Sequence, residues 1–451
     1  MNHDPDSGER PADERSGLLM LALVALVVGA ATGLVGALFR LSLAHADRAR
    51  DALIAWAHGH VIWGFLIVVG VCAVATLVAA WLVRRFSPHA SGSGIPHVEA
   101  VLHGQMPPAP YTLVPVKFVG GFLAIGSGLA LGREGPTVQM GAGIAVFMGR
   151  ACRLSWSDCR VLLAAGAGAG LATAFNAPIA GGIFVLEELV KKFEHRIAVA
   201  ALAASATAIA IARLILGDAP DFQVGALSNV SFGSLPLFFL LGAIAGLLAV
   251  AYNNTILAAI GAAERFSQVP VEVRAGMIGA GVGILAWFAP DMVGGGDPIT
   301  QSALSGQGGL LFVLGAFVIR FALGAVSYAA GTPGGLFAPL LVLGAQSGLL
   351  FGAACHLVFP GLAVPPQAFA LVGMAAFFAG VVRAPVTGIV LVTEMTANVT
   401  MLLPLLAACF VAVLVTMLLR DAPIYDSLRE LTLRGEREKR AGKQTEPLNR
   451  P

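Results

Sequence analysis

The string Gly132-Arg133-Glu134-Gly135-Pro136 sets an acid and a base inside the otherwise apolar run AIGSGLALGREGPTVQMGAGI. A charge at bilayer depth costs roughly 2.5–3.5 kcal/mol even on the lenient insertion scale, so such residues face a bundle interior or a water-filled path. The flanking glycines let backbone approach a ligand closely. Pro136 suits the first turn of a helix, where a missing N–H costs little. The string reads as a broken membrane segment whose helix start carries an acid at its tip. Helix starts attract anions, so Glu134 stands where a free anion could sit.

Two further loops have the composition of an anion-cradling helix start. Gly92-Ser93-Gly94-Ile95-Pro96 precedes the short helical stretch HVEAVLHG; its glycines free backbone N–H groups, Ser93 adds a hydroxyl donor and Pro96 begins the helix. Gly334-Gly335-Leu336-Phe337-Ala338-Pro339 offers N–H groups from the Leu336–Phe337 region. A dehydrated anion loses on the order of tens of kcal/mol of solvation in a dry interior. Converging N–H groups and hydroxyls, each helped by a helix N-terminus worth up to ~2 kcal/mol, offset much of that without fixed positive charge. Donors short of a full charge also let the ion leave again, which conduction requires. Any one of the loops could be a plain turn at a helix joint; three together, in interrupted membrane segments, point to an ion path.

The elements that position these loops follow from composition and segment length. Of 451 residues, 57% are hydrophobic and 12% charged, and the mean hydropathy is +0.82. This is the profile of a polytopic membrane protein embedded in a lipid bilayer. A net charge of +2 gives no reason to expect nucleic acid as a partner. Fifty-five glycines suit close helix packing in lipid. The five cysteines lack paired metal-ligand spacing, and His97 and His103 have only Glu99 as a carboxylate nearby in sequence, so no metal and no cofactor are expected.

Apolar segments run over 18–43, 61–83, 116–131, 136–148, 161–175, 178–189 and 197–216 in the first half. In the second half they run over 235–260, 275–289, 310–330, 336–354, 369–382, 386–392 and 402–419. Many fall short of the ~20 residues of a full span and are cut by Gly or Pro. Helices that end inside a membrane protein are tolerated only where they are buried or line a cavity. The halves repeat. Pro136, Gly141 and Gly149 recur as Pro339, Gly344 and Gly352 at a shift of 203, and Ala177, Pro178, Gly181 and Glu187 recur as Ala384, Pro385, Gly388 and Glu394 at a shift of 207. Ion sites in such architectures sit at the repeat interface near the midplane. The repeat alone is compatible with parallel or inverted copies. The division expected is a disordered polar tail (1–16), a first transmembrane repeat (17–217), a linker (218–234), a second repeat with a C-terminal cytoplasmic-side helix (235–434) and a basic cytoplasmic tail (435–451). The Arg and Lys of that tail place the C-terminus in the cytoplasm.

GSGIP, GREGP and the G-x-F-x-P string GLFAP, in this order, resemble the three signature motifs of the CLC chloride channel and transporter family, and VRAPVTGIVLVTEMTAN is similar to the matching segment of its bacterial members. The resemblance runs from about residue 17 to 433. It implies an all-α polytopic fold of two inverted repeats of tilted and broken helices, and a homodimer in the inner cell membrane with one ion path per subunit and both termini cytoplasmic. It also implies a central anion site at Ser93, with the N–H groups of Gly94, Ile95, Leu336 and Phe337 and the hydroxyl of Tyr425, and Glu134 as external gate and proton acceptor.

In LEELVKK, Glu188 matches the intracellular glutamate that relays protons in the family's exchangers, so chloride and protons are the expected transported ions. The alternative implied by the same family is a passive chloride channel. A local reading of Glu188 pairs it with Lys191 or Lys192 at helical spacing. The correspondence of Glu187 with Glu394 suggests two structural carboxylates that accept from nearby N–H groups. Lys117 and Arg133 either raise the positive potential of the path or pair with carboxylates as packing. Arg320 and Arg383 read as structural charges, and the GAGAG of 166–170 as helix packing. Ser93 and Ser127 lack the nucleophile turn and facing histidine of a serine hydrolase, so no enzymatic activity is expected.

Overall fold

The computed structural model describes residues 11–225, 227 and 230–445, which are almost wholly helical. The first half comprises α1 (Pro11–His58), α2 (Val61–Phe86), α3 (Ile95–Leu102), α4 (Leu113–Gly126), α5 (Glu134–Ala151), α6 (Trp156–Phe175), α7 (Pro178–Phe184) and α8 (His195–Leu216). The second comprises α9 (Leu235–Arg265), α10 (Val271–Phe288), α11 (Asp297–Leu304), α12 (Leu310–Tyr328), α13 (Phe337–Val358), α14 (Pro366–Val382), α15 (Pro385–Thr396) and α16 (Leu402–Leu418), and α17 (Ile424–Thr445) closes the described chain. Eight of the described helices are long and apolar enough to cross a membrane. Several of the short ones, α3, α7, α11 and α15, start with Pro in the first turn, where its fixed φ favours initiation.

The two halves are built alike, helix by helix. A short 3-10 turn precedes both α3 (Pro88–Ala90) and α11 (Pro290–Met292). Both helices are entered through a glycine in the left-handed region, Gly94 at φ 86° and Gly296 at φ 96°. α5 packs on α6 as α13 packs on α14, and α1 on α8 as α9 on α16. These pairs meet backbone to backbone. A Cβ on Gly141 would overlap the Gly166 carbonyl and the reverse, and Gly344 and Gly373 stand in the same relation. The GAGAG run is therefore packing, as expected. α6 and α14 are buried along almost their whole length, whereas α2, α10 and α12 turn apolar faces outward, as helices against lipid do.

The copies are inverted, and the hydrogen bonds say so. The Glu187 carboxylate, just past α7, accepts from Val386 N (3.0 Å), Thr387 N (2.6 Å) and Thr387 Oγ1 (2.7 Å) at the start of α15. Glu394, near the end of α15, accepts from Ile179 N (3.1 Å) and Ala180 N (2.8 Å) at the start of α7. Each helix presents its end to the other's beginning, so equivalent helices run antiparallel. Gly132 and Gly335, equivalent at the shift of 203, exchange reciprocal bonds: Gly132 N to Gly335 O at 2.8 Å and Gly335 N to Gly132 O at 2.7 Å. Reciprocal contact between equivalent residues is the mark of a two-fold axis, and this one passes between the two glycines.

Five features differ from the sequence reading. α1 begins at Pro11, inside the expected tail, and residues 1–10 lie outside the described residues. It also continues past position 43 to His58, because residues 44–58 hold no Gly or Pro and Arg50 pairs with Asp47 one turn away at 2.7 Å. α11, absent from the expected segments, is polar for a membrane helix and is visible only as the repeat of α3. The linker is fastened to both halves: Phe222 N donates to Met395 O (3.0 Å) and Asp221 pairs with Arg40 (2.7 Å). α17 carries on into the expected tail as far as Thr445, and 446–451 lie outside the described residues.

Glu187→Ala strands two N–H groups and a hydroxyl at the α15 start, at a cost of about 2–3 kcal/mol. We expect a lower melting temperature in detergent for this variant, a smaller drop for Glu394→Ala, which loses two bonds instead of three, and partial recovery with Glu187→Gln.

Candidate functional site

The three glycine-rich loops meet at one place. Beside the Gly132–Gly335 pair, Gly92 N donates to Thr332 O and Gly334 N to Gly92 O, both at 3.1 Å. GSGIP, GREGP and GLFAP are thus joined by four backbone bonds that leave their helix starts turned toward a common centre. Glycine is required at the closest approach: a Cβ on Gly135 would overlap Ser93 Oγ and lie 2.6 Å from Ser93 O. A Cβ on Gly335 would lie 2.8 Å from Gly135 N and 3.3 Å from Glu134 Oε2.

Around that centre stand buried polar groups with nothing to bond. Ser93 Oγ, Tyr425 OH and both carboxylate oxygens of Glu134 have no hydrogen-bond partner among the described residues. Buried polar groups are rarely left so, because each costs about 1–3 kcal/mol. Two hydroxyls that face each other and have no other partner, set among the free N–H groups of the α3 and α13 starts, suit an anion. The Tyr425 hydroxyl faces Ser93, with Glu134 and Glu188 both near enough to act on it electrostatically. Its ring stacks on Phe337 at 5.9 Å between centroids, and Phe337 also meets Phe184 (5.7 Å) and Phe378 (4.7 Å). Leu336 caps α13 and Phe337 is its first residue, both wholly buried.

Glu134 is the first residue of α5, 1% exposed. It forms part of the floor of a cavity of about 470 Å³ whose walls include Asp47, Arg50, Gly295 and Asp297. A second cavity, of about 510 Å³, reaches the other side of the loops at Gly92 and Gly94 and is bordered by His97, Tyr328 and α17. The loop knot separates the two.

Of the two candidate path charges, each has gone a different way. Arg133 pairs with Asp297 (2.9 Å) and Asp221 (3.3 Å) and donates to Ala174 O (3.0 Å) at the rim of the first cavity. Lys117 is fully buried and bonds carbonyls instead of carboxylates, Gly92 O at 2.7 Å and Ala90 O at 3.0 Å, bracing the GSGIP loop. Arg320, its equivalent at the shift of 203, braces Gly294 O (2.6 Å) and Met292 O (3.2 Å) in the same manner. The structural reading of Arg320 holds. Arg383 caps α14 in the left-handed region at φ 70° and donates to Asp421 O.

Glu188 lies in a π-helical turn, Val185–Leu189, and is 3% exposed with Oε1 unpartnered. Lys191, one of the two lysines in the alternative local pairing, makes its ion pairs elsewhere, with Asp426 (2.6 Å) and Glu99 (2.9 Å). The structure adds residues that spacing did not mark. Tyr328 OH accepts from Ser93 N at 3.3 Å, and Gln139 Nε2 donates to His89 O at 2.8 Å. Asp297 could have been found by laying GGGDP (294–298) over GSGIP (92–96); Tyr328 and Gln139 carried no signal.

Fold and site define a membrane protein of the inverted-repeat ion-transport class, with broken helices whose starts converge on a buried centre. The chain belongs to the voltage gated chloride channel family, which matches residues 75–417. It is 36% identical over 433 residues to the H(+)/Cl(-) exchange transporter ClcA of Salmonella arizonae, covering 94% of this chain and 91% of the relative. Its fold is similar to that of a slow cyanobacterial Cl-/H+ antiporter, at TM-score 0.87 and 34% identity over 92% of this chain and 98% of the other. A eukaryotic CLC transporter shares the fold at TM-score 0.80 and 23% identity over 92% of this chain and 74% of the other.

Gly135→Ala forces Ser93 and the GREGP loop apart, and overpacking of this kind costs about 1–3 kcal/mol. The melting temperature in detergent should fall clearly for this variant. Gly281→Ala, where a Cβ in α10 meets nothing within 4 Å, should hold it or raise it slightly.

Proposed function

We propose that the chain is a chloride/proton antiporter, in which chloride binds among Ser93, Tyr425 and the N–H groups of Gly94, Ile95, Leu336 and Phe337. Glu134 is its gate and external proton acceptor, and Glu188 its internal proton relay. The observation that carries this reading is the unpartnered Glu134 carboxylate, buried where the first cavity meets the loop knot. An ionised Glu134 and a chloride compete for the same donors. Protonation removes the charge that keeps the anion out, lets the side chain turn away and admits the anion. Proton and anion occupancy at one place thereby become mutually dependent.

The separation of roles between adjacent glutamates supports the rest. Glu187 is spent on the α15 start, whereas Glu188 keeps a free oxygen. Its position beside α17 suits proton delivery from the side of the second cavity. The exchange transporter from Salmonella and the cyanobacterial antiporter, both at least a third identical to this chain, favour exchange over a passive channel. The apolar faces of the outer helices are consistent with the inner membrane and a homodimer, both termini lying in the cytoplasm. No chemical transformation of a substrate is part of this reading.

Paired chloride and pH recordings from proteoliposomes test it. The parent should move protons uphill when driven by a chloride gradient. Glu134→Gln and Glu188→Gln should each carry chloride with proton movement reduced at least tenfold. Uphill proton movement surviving in both variants would remove the assignment.

A further inference from the structure

Lys191 sits three residues beyond Glu188, after the π-helical turn, with its backbone in the left-handed region at φ 55°. A long side chain seldom adopts that conformation, so the surroundings must hold it there. What holds it is a pair of contacts to two other elements. The ammonium lies 2.9 Å from Glu99 Oε1 on α3 and 2.6 Å from Asp426 Oδ1 on α17. α3 is the helix entered through Ser93 and Gly94, and Asp426 directly follows Tyr425.

Arg429 completes the cluster by pairing with Glu99 and, at 3.1 Å, with Asp426. Arg429 ties α17 to α3 but makes neither of these pairs with the turn that holds Glu188. Among these four residues, only Lys191 belongs to that segment. Glu99 is wholly buried, which separates this cluster from an exposed ion pair of little consequence. The four charges balance, two acids against two bases, so Glu188 stands beside a neutral quartet.

We infer that Lys191 is a positioning residue that locks the Glu188 segment to the two helices that carry the anion-site hydroxyls, the Ser93 helix and the Tyr425 helix, so that the anion path between them opens only in step with the proton relay. The inference rests on the exchange reading of the previous subsection. Without Lys191 the relay segment and the α3–α17 pair move independently. The Ser93–Tyr425 separation then no longer depends on the state of Glu188, and chloride slips past without its proton. The lysine makes no contact with the anion site, so its removal alters coupling rather than transport as such. Its charge also acts on Glu188, and Asp426→Asn, which keeps that charge, separates the lock from it.

The test compares the parent, Lys191→Met and Lys191→Arg in proteoliposomes by paired chloride and pH recording, with hydrogen exchange of the α17 amides measured alongside in detergent. Lys191→Met should carry chloride at the parent's rate or faster with at least threefold fewer protons per chloride. Its α17 amides around residues 424–433 should exchange faster, and Lys191→Arg should restore both. Asp426→Asn, which weakens the lock from the other side, should shift the ratio in the same direction. A parent-like ratio in both Lys191→Met and Asp426→Asn overturns the inference, whatever the exchange shows. If the parent itself moves chloride without protons, the exchange reading falls. The lock is then decided by chloride rate and α17 exchange: faster in Lys191→Met and restored in Lys191→Arg upholds it, and no change overturns it.

Discussion

An anion can cross a lipid slab only where donors without full charge replace its water, and a polypeptide has few such donors to offer. Backbone N–H groups are free at helix starts and nowhere else in a helical protein. The need to bring several starts to one point therefore dictates the rest of this structure. Helices must stop and begin at membrane depth, and the exposed backbone must be sealed by its own kind, as the bonds among Gly92, Thr332, Gly334, Gly132 and Gly335 do. Loops in so tight a knot are glycine by necessity. The dense packing of α5 on α6 and α13 on α14 supplies the rigid frame against which they are held.

The two-fold relation between the halves is kept where it supports the frame and broken where it makes the site. Glu187 and Glu394 close each other's helix starts, and Lys117 and Arg320 brace equivalent turns. At the centre the equivalence lapses. Shifting Glu134 by 203 gives Phe337, so one copy of the helix start carries an acid and the other an aromatic wall. Shifting Ser93 and Ile95 by 202 gives Gly295 and Asp297. The second copy of the GSGIP loop thus lacks the hydroxyl and carries a carboxylate, which pairs with Arg133. A carboxylate at that start would repel an anion, so only one of the two loops suits one. The halves share a scaffold but not a function.

This explains what was legible beforehand. The three loops, the repeat, the paired structural carboxylates and the short broken segments are local patterns or shifts of one pattern along the chain, and sequence displays both. Residues joined only by the folded form were hidden. Asp221, in what reads as a linker, links Arg40 and Arg133 across 181 and 88 positions. Glu99 and Arg429 meet across 330. No spacing rule covers such distances. The local reading of Glu188 against Lys191 was incomplete for the same reason: the lysine acts on Glu188 electrostatically but makes its ion pairs with two long-range carboxylates, Glu99 and Asp426. The extension of α1 to His58 was missed because hydropathy marks where a helix leaves lipid, not where it ends.

The pair Glu187 and Glu188 shows how far one residue of register decides. Both are glutamates on the same turn, and nothing in their chemistry separates them. The backbone does. Val190 N bonds Val185 O at 2.9 Å, five residues back, so this turn is a π-turn wider than an α-turn. Such single turns are rare and frequent at functional sites, because the extra residue re-aims the side chains after it. Here the wide turn lets Glu187 point across to the α15 start, where three donors consume it. It leaves Glu188 facing the protein interior with an oxygen to spare. A regular α-turn has no slack to satisfy both demands at once. The widened turn is thus the physical reason a carboxylate held by three donors and one with an unpartnered oxygen can stand side by side.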